Sequence, residues 1–217
     1  MSVLLQATDA LLVIDLQNDF CPGGALAVTE GDTIIPRINA LAQQFDHVLL
    51  TQDWHPEQHI SFASTHVGSR PYQQIDVAYG PQTLWPDHCL QQSTGAAFHP
   101  DLNVSHAELI LRKGFRKNID SYSAFLENDR VTPTGLSGYL RERNLRRLFV
   151  CGLAYDFCVR FSAIDGKALG FETLVVEDVS RPVNIPATDT LPGSIDATNN
   201  AFAAANILRI QSTDILS

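Results

Sequence analysis

Short apolar runs alternate with segments of helical periodicity along most of this chain. Continuously apolar runs of this length are typical of strands buried on both faces of a parallel sheet. The segments are the strands Ala10–Ile14, His47–Leu50, Leu109–Leu111, Leu148–Cys151 and Thr173–Val176, and the helices Ile34–Phe45, Gly135–Arg143, Cys158–Leu169 and Ser194–Leu208. Right-handed crossovers then predict a three-layer, doubly wound α/β fold, with a mostly parallel sheet and helices on both faces. We expect a single domain over residues 1–217.

Chemically useful side chains follow four of the predicted strands. Asp15, Asp53 and Lys113 come at or just after strand ends, and Cys158 lies in the turn after Leu148–Cys151. Ligands of doubly wound folds bind outside the carboxyl ends of the strands. The fold prediction therefore places these residues at one edge of the sheet.

The composition excludes several kinds of partner. Apolar residues make up 45% of the chain and charged residues 18%, which indicates a compact globular protein. A net charge of −9 without a basic cluster argues against nucleic-acid binding. The sequence lacks a run of roughly 20 apolar residues, and its N-terminus does not resemble a signal peptide. We expect a cytoplasmic protein that does not bind membranes.

Cys158 is the best candidate nucleophile among the cysteines, which also include Cys21, Cys89 and Cys151. A buried strand meets Gly152, turns, and starts a helix at about Cys158. A helix N-terminus stabilises a thiolate, so we expect a lowered pKa, and its free N–H groups can hold an oxyanion. The alternative is a buried structural thiol, the usual state of a lone cysteine.

Asp15 and Lys113 could complete a nucleophilic site. Asp15 could take the thiol proton and return it to a leaving amine, while Lys113 could stabilise the thiolate and orient the carboxylate. Taken singly, a strand-end Asp is about as often a turn residue, and a Lys is usually solvated.

Most of the histidines lie in the irregular segment from His55 to Glu108. Asp53 and His55, at i and i+2 on a strand end, point the same way, and His88 supplies another imidazole. Such a set is a plausible first shell for Zn²⁺, Fe²⁺ or Mn²⁺ with open positions for water or substrate. His59 has a spacing from His55 that would suit a helix, but Pro56 makes that pairing weak.

Several motifs together resemble those of bacterial nicotinamidases, which act on nicotinamide and pyrazinamide, in the isochorismatase-like cysteine hydrolase superfamily. The resemblance covers nearly the whole chain. Its carriers are DLQNDFCPGGAL from Asp15, TQDWHPEQHISFAS from Thr51, WPDHCL from Trp85, GAAFHP from Gly95, LRKGF from Leu111, DSYSAF from Asp120 and GLAYDFCV from Gly152.

The resemblance implies a role for each candidate residue. The triad would be Asp15, Lys113 and Cys158. The Leu153–Ala154 peptide bond would be cis, and the N–H groups of Ala154 and Cys158 would face the oxyanion. The implied metal ligands are Asp53, His55 and His88, with His59 a possible fourth, and the metal would hold the ring nitrogen of the substrate. The implied ring pocket consists of Phe20, Trp85, Tyr122 and Tyr155.

One departure and two alternatives remain open at this point. The family usually has Thr or Ser at the position of Tyr155, which affects the expected shape of the pocket. The chain could instead be an amidase for an N-carbamoyl compound or biuret, although those relatives generally lack the metal triplet. It could also be a non-catalytic binding module, which would be expected to lack Cys158 or Lys113. The sequence leaves the metal's identity undecided and is compatible with a monomer or a homo-oligomer.

Overall fold

A parallel sheet forms the centre of the protein. The computed structural model describes residues 3–189 and 191–216. In those ranges the strands are β1 (Asp9–Ile14), β2 (His47–Asp53), β3 (Gln74–Val77), β4 (Gly80–Thr83), β5 (Leu109–Lys113), β6 (Arg147–Leu153), β7 (Glu172–Arg181) and β8 (Leu208–Ile210). The main sheet has the order β5-β2-β1-β6-β7-β8 with every pair parallel, and β3 and β4 form a separate antiparallel hairpin.

Helices cover both faces of this sheet. They are α1 (Ile35–Ala42), α2 (Leu136–Glu142), α3 (Arg160–Ala168) and α4 (Ser194–Ala204). Successive residues of a strand point to opposite faces. Leu11 and Val13 accordingly share one core cluster with α1, whereas Leu12 and Ile14 share the other with residues of α2, α3 and α4. The predicted three-layer α/β fold is confirmed. None of the described helices is long and apolar enough to cross a membrane.

The predicted helix Ser194–Leu208 is wrong at its end. Helix α4 stops at Ala204, and Asn206 adopts a left-handed conformation with φ of 52°. Asparagine tolerates this conformation at a helix C-terminus better than most residues do. Leu208 then begins β8, which pairs with β7 at the edge of the sheet. The Ala-rich sequence carried no Gly or Pro to mark this boundary.

The segment between β2 and β5 contains more regular structure than its sequence indicates. The hairpin of β3 and β4 lies inside it. The Gln-Ile-Asp-Val sequence of β3 alternates over only four residues, and the Gly-Pro-Gln-Thr sequence of β4 has no apolar alternation, so the pattern was too short to predict a hairpin. The hairpin matters because Gln82 of β4 is buried and contacts the candidate site described below.

Candidate active site

The carboxyl ends of β1, β2, β5 and β6 bring the predicted residues to one edge of the sheet. Asp15 directly follows β1, and Asp53 and Lys113 are the paired last residues of β2 and β5. Cys158 lies in the π-helical turn Tyr155–Val159 that follows β6. All of these side chains are buried. The expectation that they meet at one edge is therefore confirmed.

The ammonium group of Lys113 joins the other members of this group. Its Nζ lies 2.8 Å from Asp15 Oδ2, 2.5 Å from Asp53 Oδ1 and 3.3 Å from Cys158 Sγ. It also donates to the carbonyl oxygen of Ser121 at 3.2 Å. Burial disfavours the charge, but the two carboxylates outweigh it and raise the pKa of Lys113 well above its ordinary value. The group therefore remains a cation in contact with both acids and the thiol.

Asp15 is arranged as an acceptor for a proton. Its Oδ1 accepts a hydrogen bond from the Thr51 hydroxyl at 2.7 Å, while Oδ2 accepts no well-directed hydrogen bond from the described residues. Burial raises the pKa of Asp15, Lys113 opposes that effect, and Asp53 adds to it. A carboxylate with a raised pKa is a stronger base. Oxygens of Asp15 and Asp53 and the sulfur of Cys158 all lie within 4.8 Å of one another.

The expected lowering of the Cys158 pKa is wrong for this structure. Burial raises the pKa of the thiol well above its ordinary value; Lys113 opposes the rise, and the nearby Asp15 and Asp53 add to it. Desolvation penalises the thiolate more than one ammonium group stabilises it. The resting group is therefore a thiol, and a nucleophile would form only as a base removes the proton.

The turn that carries Cys158 begins earlier than its sequence indicates. The helical turn starts at Tyr155, and the hydrogen bond from Val159 N to Ala154 O, 3.1 Å long, gives it a π-helical form. Cys158 thus lies inside the first turn instead of starting the helix. The Leu153–Ala154 peptide bond is cis, as the resemblance implies.

An open cavity lies beside Cys158. Its walls are largely aromatic and aliphatic, and the ring of Phe157 packs edge-to-face on Trp85 with the ring centroids 4.8 Å apart. The apolar lining residues are Phe20, Leu26, Trp85, Tyr122, Ala154, Phe157 and Val183. Aromatic walls of this kind suit edge-to-face or stacked contact with a small aromatic ring. The structure places the predicted Phe20, Trp85 and Tyr122 in it, and Leu26, Phe157 and Val183 are additions that the sequence reading missed.

Polar contacts behind the aromatic wall fix Tyr122 in place. Its hydroxyl oxygen accepts hydrogen bonds from Gln82 Nε2 at 2.8 Å and from Trp85 Nε1 at 3.1 Å. Gln82 also donates to Asp120 Oδ2 at 3.0 Å, and Asp120 lines the cavity. Asp120 begins the DSYSAF motif, so a signal for it existed, whereas nothing in the sequence marked Gln82.

Tyr155 is not among the side chains that line this cavity. Its hydroxyl donates to Asn199 Oδ1 at 2.7 Å, and its ring packs edge-to-face on Phe202 of α4. The side chain therefore belongs to the core beneath α4, on the other side of the turn. Tyr155 therefore contributes no side chain to the cavity wall, and we omit it from the pocket.

Asp53, His55 and His88 form a group that could hold a metal ion. His55 Nδ1 lies 2.8 Å from the carbonyl oxygen of Gly114, and His88 Nδ1 lies 2.8 Å from that of Pro86. A carbonyl oxygen can only accept, so each Nδ1 carries a proton, and in the neutral ring each Nε2 has a lone pair for a metal. These Nε2 atoms lie 3.4 and 3.6 Å from Asp53 Oδ2. Three lone pairs that converge in this way fit a divalent cation.

The charges around Asp53 agree with this fit. Burial raises the pKa of Asp53, but the ammonium group of Lys113 outweighs it and holds the pKa well below its ordinary range. The carboxylate therefore gives one oxygen to Lys113 and the other to the imidazole pair. A second possible group, Asp15 with Asp53 and Cys158, already surrounds the ammonium group of Lys113, which takes the place of a metal there.

His59 lies against this group and forms another set with His55 and Asp120, whose possible ligand atoms lie within 4.8 Å of one another. Its ring centroid is 4.3 Å from that of His55. Its Nδ1 lies 2.7 Å from the Ser61 hydroxyl, and its Nε2 lies 3.0 and 3.2 Å from the carbonyl oxygens of Arg116 and Ile119. Burial lowers the pKa of His59 to about 4. Both ring nitrogens are engaged, so we do not include His59 among the ligands proposed below.

Comparison with known proteins assigns the chain to a family. The sequence model of the isochorismatase domain matches residues 9–204. The chain belongs to the isochorismatase family. This isochorismatase-family chain is 48% identical to the nicotinamidase of Acinetobacter baylyi over 207 residues, which cover 95% of this chain and 94% of that protein. It is 45% identical to the nicotinamidase of Escherichia coli over 83% of this chain and 86% of that protein.

Solved structures of isochorismatase-family relatives agree with this assignment. A nicotinamidase/pyrazinamidase from Acinetobacter baumannii superposes with a TM-score of 0.93 at 50% identity, covering 96% of this chain and 98% of that one. A protein from L. infantum in complex with nicotinate gives 0.83 at 37% identity, covering 99% and 98%. The pyrazinamidase of Pyrococcus horikoshii in complex with zinc gives 0.73 at 32% identity, covering 94% and 99%.

Proposed function

We propose that this protein is a nicotinamidase, which hydrolyses nicotinamide, and also pyrazinamide, to the carboxylate and ammonia in the salvage of pyridine nucleotides. One observation carries the proposal: the ammonium group of Lys113 contacts Asp15, Asp53 and Cys158 beside a cavity with aromatic walls. A nucleophile, a base and a cation thus meet beside side chains that can pack on an aromatic ring. The similarity to nicotinamidases supports the choice of substrate.

In the first half of the reaction, the Cys158 thiol proton moves to Asp15 and the sulfur attacks the carboxamide carbon. Lys113, 3.3 Å from the sulfur, stabilises the charge that develops there. The N–H groups of Ala154 and Cys158 are the proposed donors to the oxyanion. Asp15 then gives its proton to the leaving nitrogen, the C–N bond breaks, and ammonia departs from a thioester.

In the second half, water hydrolyses the thioester. Asp15, again ionised, takes a proton from the water as its oxygen attacks the thioester carbon. The C–S bond breaks, and Asp15 returns its proton to the sulfur. The carboxylic acid formed loses the second proton of the water to the solvent and leaves as nicotinate. The raised pKa of Asp15, caused mainly by burial, suits a group that must accept and release a proton in each half-reaction.

The proposed metal ligands are Asp53 Oδ2, His55 Nε2 and His88 Nε2, which fit zinc or iron, or manganese. When bound, such an ion supplies a Lewis acid for the ring nitrogen of the substrate, which is a positioning role. The cavity that Cys158 lines is also lined by all three ligand residues. We therefore propose that the ring nitrogen of a substrate faces the metal ligands while its carboxamide faces Cys158.

The remaining features of the proposal concern the setting of the enzyme. We propose one domain over residues 1–217, a cytoplasmic location, a small-molecule substrate, and no nucleic-acid or membrane partner. The net charge of −9 supports the exclusion of nucleic acid. Either a monomer or a homo-oligomer is compatible with this site, because all the residues proposed for chemistry come from one chain.

The direct test measures ammonia and nicotinate released from nicotinamide by the purified protein. We expect stoichiometric formation of both products, about one bound divalent metal per chain, and loss of activity after chelation that returns when metal is added. Biuret and an N-carbamoyl amino acid serve as comparison substrates. A metal-free protein that hydrolyses these compounds and spares nicotinamide would refute the proposal.

Replacement of Gly114 by alanine should weaken metal binding. Gly114 has φ of +64°, and a Cβ at this position would lie 2.3 Å from Cε1 of His55. The Gly114 carbonyl also orients the His55 ring. Disturbing such a supporting contact typically costs about 10–100-fold in metal affinity. We expect a loss of that size for Gly114→Ala by competition with a chelator dye, and none for Gly138→Ala, whose Cβ meets nothing within 4 Å. Equal metal affinity in both variants would contradict the ligand assignment of His55.

A further inference from the structure

Asp156, two residues before Cys158, has a set of hydrogen bonds that the proposed chemistry does not use. Its side chain is buried, and its Oδ1 accepts the N–H of Val183 at 2.9 Å. Its Oδ2 accepts the N–H of Asn184 at 2.9 Å and the hydroxyl of Ser194 at 2.6 Å. One carboxylate thus connects the turn that carries the nucleophile with residues on both sides of the loop between β7 and α4.

The loop is also closed at its base by Ser194. The Ser194 hydroxyl oxygen accepts the N–H of Ile185 at 2.8 Å, and Ser194 N donates to the carbonyl of Ile185 at 2.9 Å. Asn184 adopts a left-handed conformation with φ of 63°. These contacts and those of Asp156 leave the backbone at residues 183–185 little freedom to move relative to Cys158.

Val183 is the residue by which this loop reaches the cavity. It lines the same cavity as Leu26, Phe157 and Cys158. Its backbone N–H is bound to Asp156, so the distance between this wall and the turn of Cys158 depends on that hydrogen bond. A wall held in this way limits the width that a substrate ring can have.

We propose that Asp156 is a positioning residue for the substrate pocket, and that Val183, held by it, limits the substituents that a substrate ring can carry. The inference rests on the proposed function, because it concerns discrimination among nicotinamides. Asp156 does not touch the reacting atoms in this proposal. It acts through the backbone of Val183 and Asn184.

The first variant is Asp156→Asn, which keeps the shape of the side chain. Its NH₂ group must face at least one of the three donors, so a backbone N–H loses its acceptor. We expect amide hydrogens of Val183 and Asn184 to exchange about tenfold faster, and KM for nicotinamide to rise about tenfold with kcat changed less than about threefold. Hydrogen-exchange mass spectrometry and steady-state ammonia release measure these effects.

The second variant, Val183→Ala, tests the wall itself. The substrates are nicotinamides that carry a methyl group at different ring positions. Because the smaller side chain leaves more room, kcat/KM for one of these isomers should rise about tenfold relative to kcat/KM for nicotinamide. Asp156→Asn should relax the same preference. If Asp156→Asn does not fold, Ser194→Ala removes one of the three donors and should increase amide exchange at residues 183–185 in the same direction.

Asp129→Asn is the matched control. Asp129 likewise accepts two backbone N–H groups and one hydroxyl, from Val131 and Thr132, but it does not line the cavity. This variant should keep KM and the preference among ring isomers.

Unchanged amide exchange in a folded Asp156→Asn, or an unchanged preference in Val183→Ala, would overturn the inference. Absence of ammonia release by the wild type would instead refute the proposed function, and with it the role of Val183 in specificity. Amide exchange would still measure whether Asp156 holds the backbone of Val183 and Asn184.

Discussion

Replacement of Cys158 by alanine is expected to lower kcat/KM for nicotinamide by at least roughly 10³-fold, because the variant has no atom that can form the thioester. The pocket walls and the metal group do not depend on the sulfur, so KM should change little. Removal of one small buried atom leaves a small cavity, which costs about 1 kcal/mol of stability. Ammonia release and urea unfolding measure the two effects separately.

The matched control is Cys151→Ala, which removes a second buried thiol seven residues earlier in the chain. Cys151 lies in β6, and burial raises the pKa of its thiol. It has none of the contacts that Cys158 makes with Lys113. This variant should lose a similar amount of stability and retain its activity. More than a tenth of wild-type activity in Cys158→Ala, or an equal loss in both variants, would remove Cys158 from the mechanism.

The proposed thioester requires that Cys158 carries the acyl group of the substrate during the reaction. Rapid quenching of the wild type with nicotinamide should give a chain whose mass is increased by one acyl group, and a peptide digest should locate that group on Cys158. The high pKa of the thiol explains why the free cysteine should react slowly with general thiol reagents. Slow labelling in the absence of substrate is therefore compatible with a nucleophile in this protein.

The position of the candidate site could be predicted from the sequence because parallel strands end at the same edge. Asp15, Asp53 and Lys113 follow apolar runs, and this placement alone brings them together. The pairing of Asp53 with Lys113 depends in addition on β2 and β5 being neighbours in the sheet, which the sequence did not indicate. The layers of the fold were equally predictable, since buried strands and helices with one apolar face leave few other ways to pack.

Other properties depend on distant contacts that no local pattern contains. The pKa of Cys158 follows mainly from its burial by the surrounding loops. That effect outweighs the local effect of a helix terminus. Val183 reaches the cavity through a loop, and Gln82 reaches Tyr122 from a largely exposed hairpin. Phe157 and Asp156 are a different case: both stand in the GLAYDFCV motif, but their directions depend on the π-helical turn.

Replacement of Lys113 by methionine should strongly destabilise the protein as well as inactivate it. The side chain is 1% exposed and is the cation between Asp15 and Asp53. Removal of one partner of a buried ion pair leaves an uncompensated charge, which costs about 3–5 kcal/mol. Activity should fall by at least roughly 10²-fold, because charge on the sulfur of Cys158 would lose its stabilising partner. Urea unfolding at pH 7 and ammonia release measure these losses.

The dependence on pH separates this charge effect from loss of packing. Without Lys113 the pKa of Asp53 should rise, and a carboxyl whose folded-state pKa is raised destabilises the fold increasingly as pH rises through that pKa. The difference in unfolding free energy between variant and wild type should therefore be smaller at pH 5 than at pH 7.

Asp15→Asn combined with Lys113→Met should regain about 1 kcal/mol or more of stability, without activity, because one unpaired carboxylate is gone. Lys117→Met, at an exposed lysine that bonds to Gln58, is the control and should change neither property. Equal losses for Lys113→Met at both pH values would show that packing, and not the ion pairs, accounts for the effect.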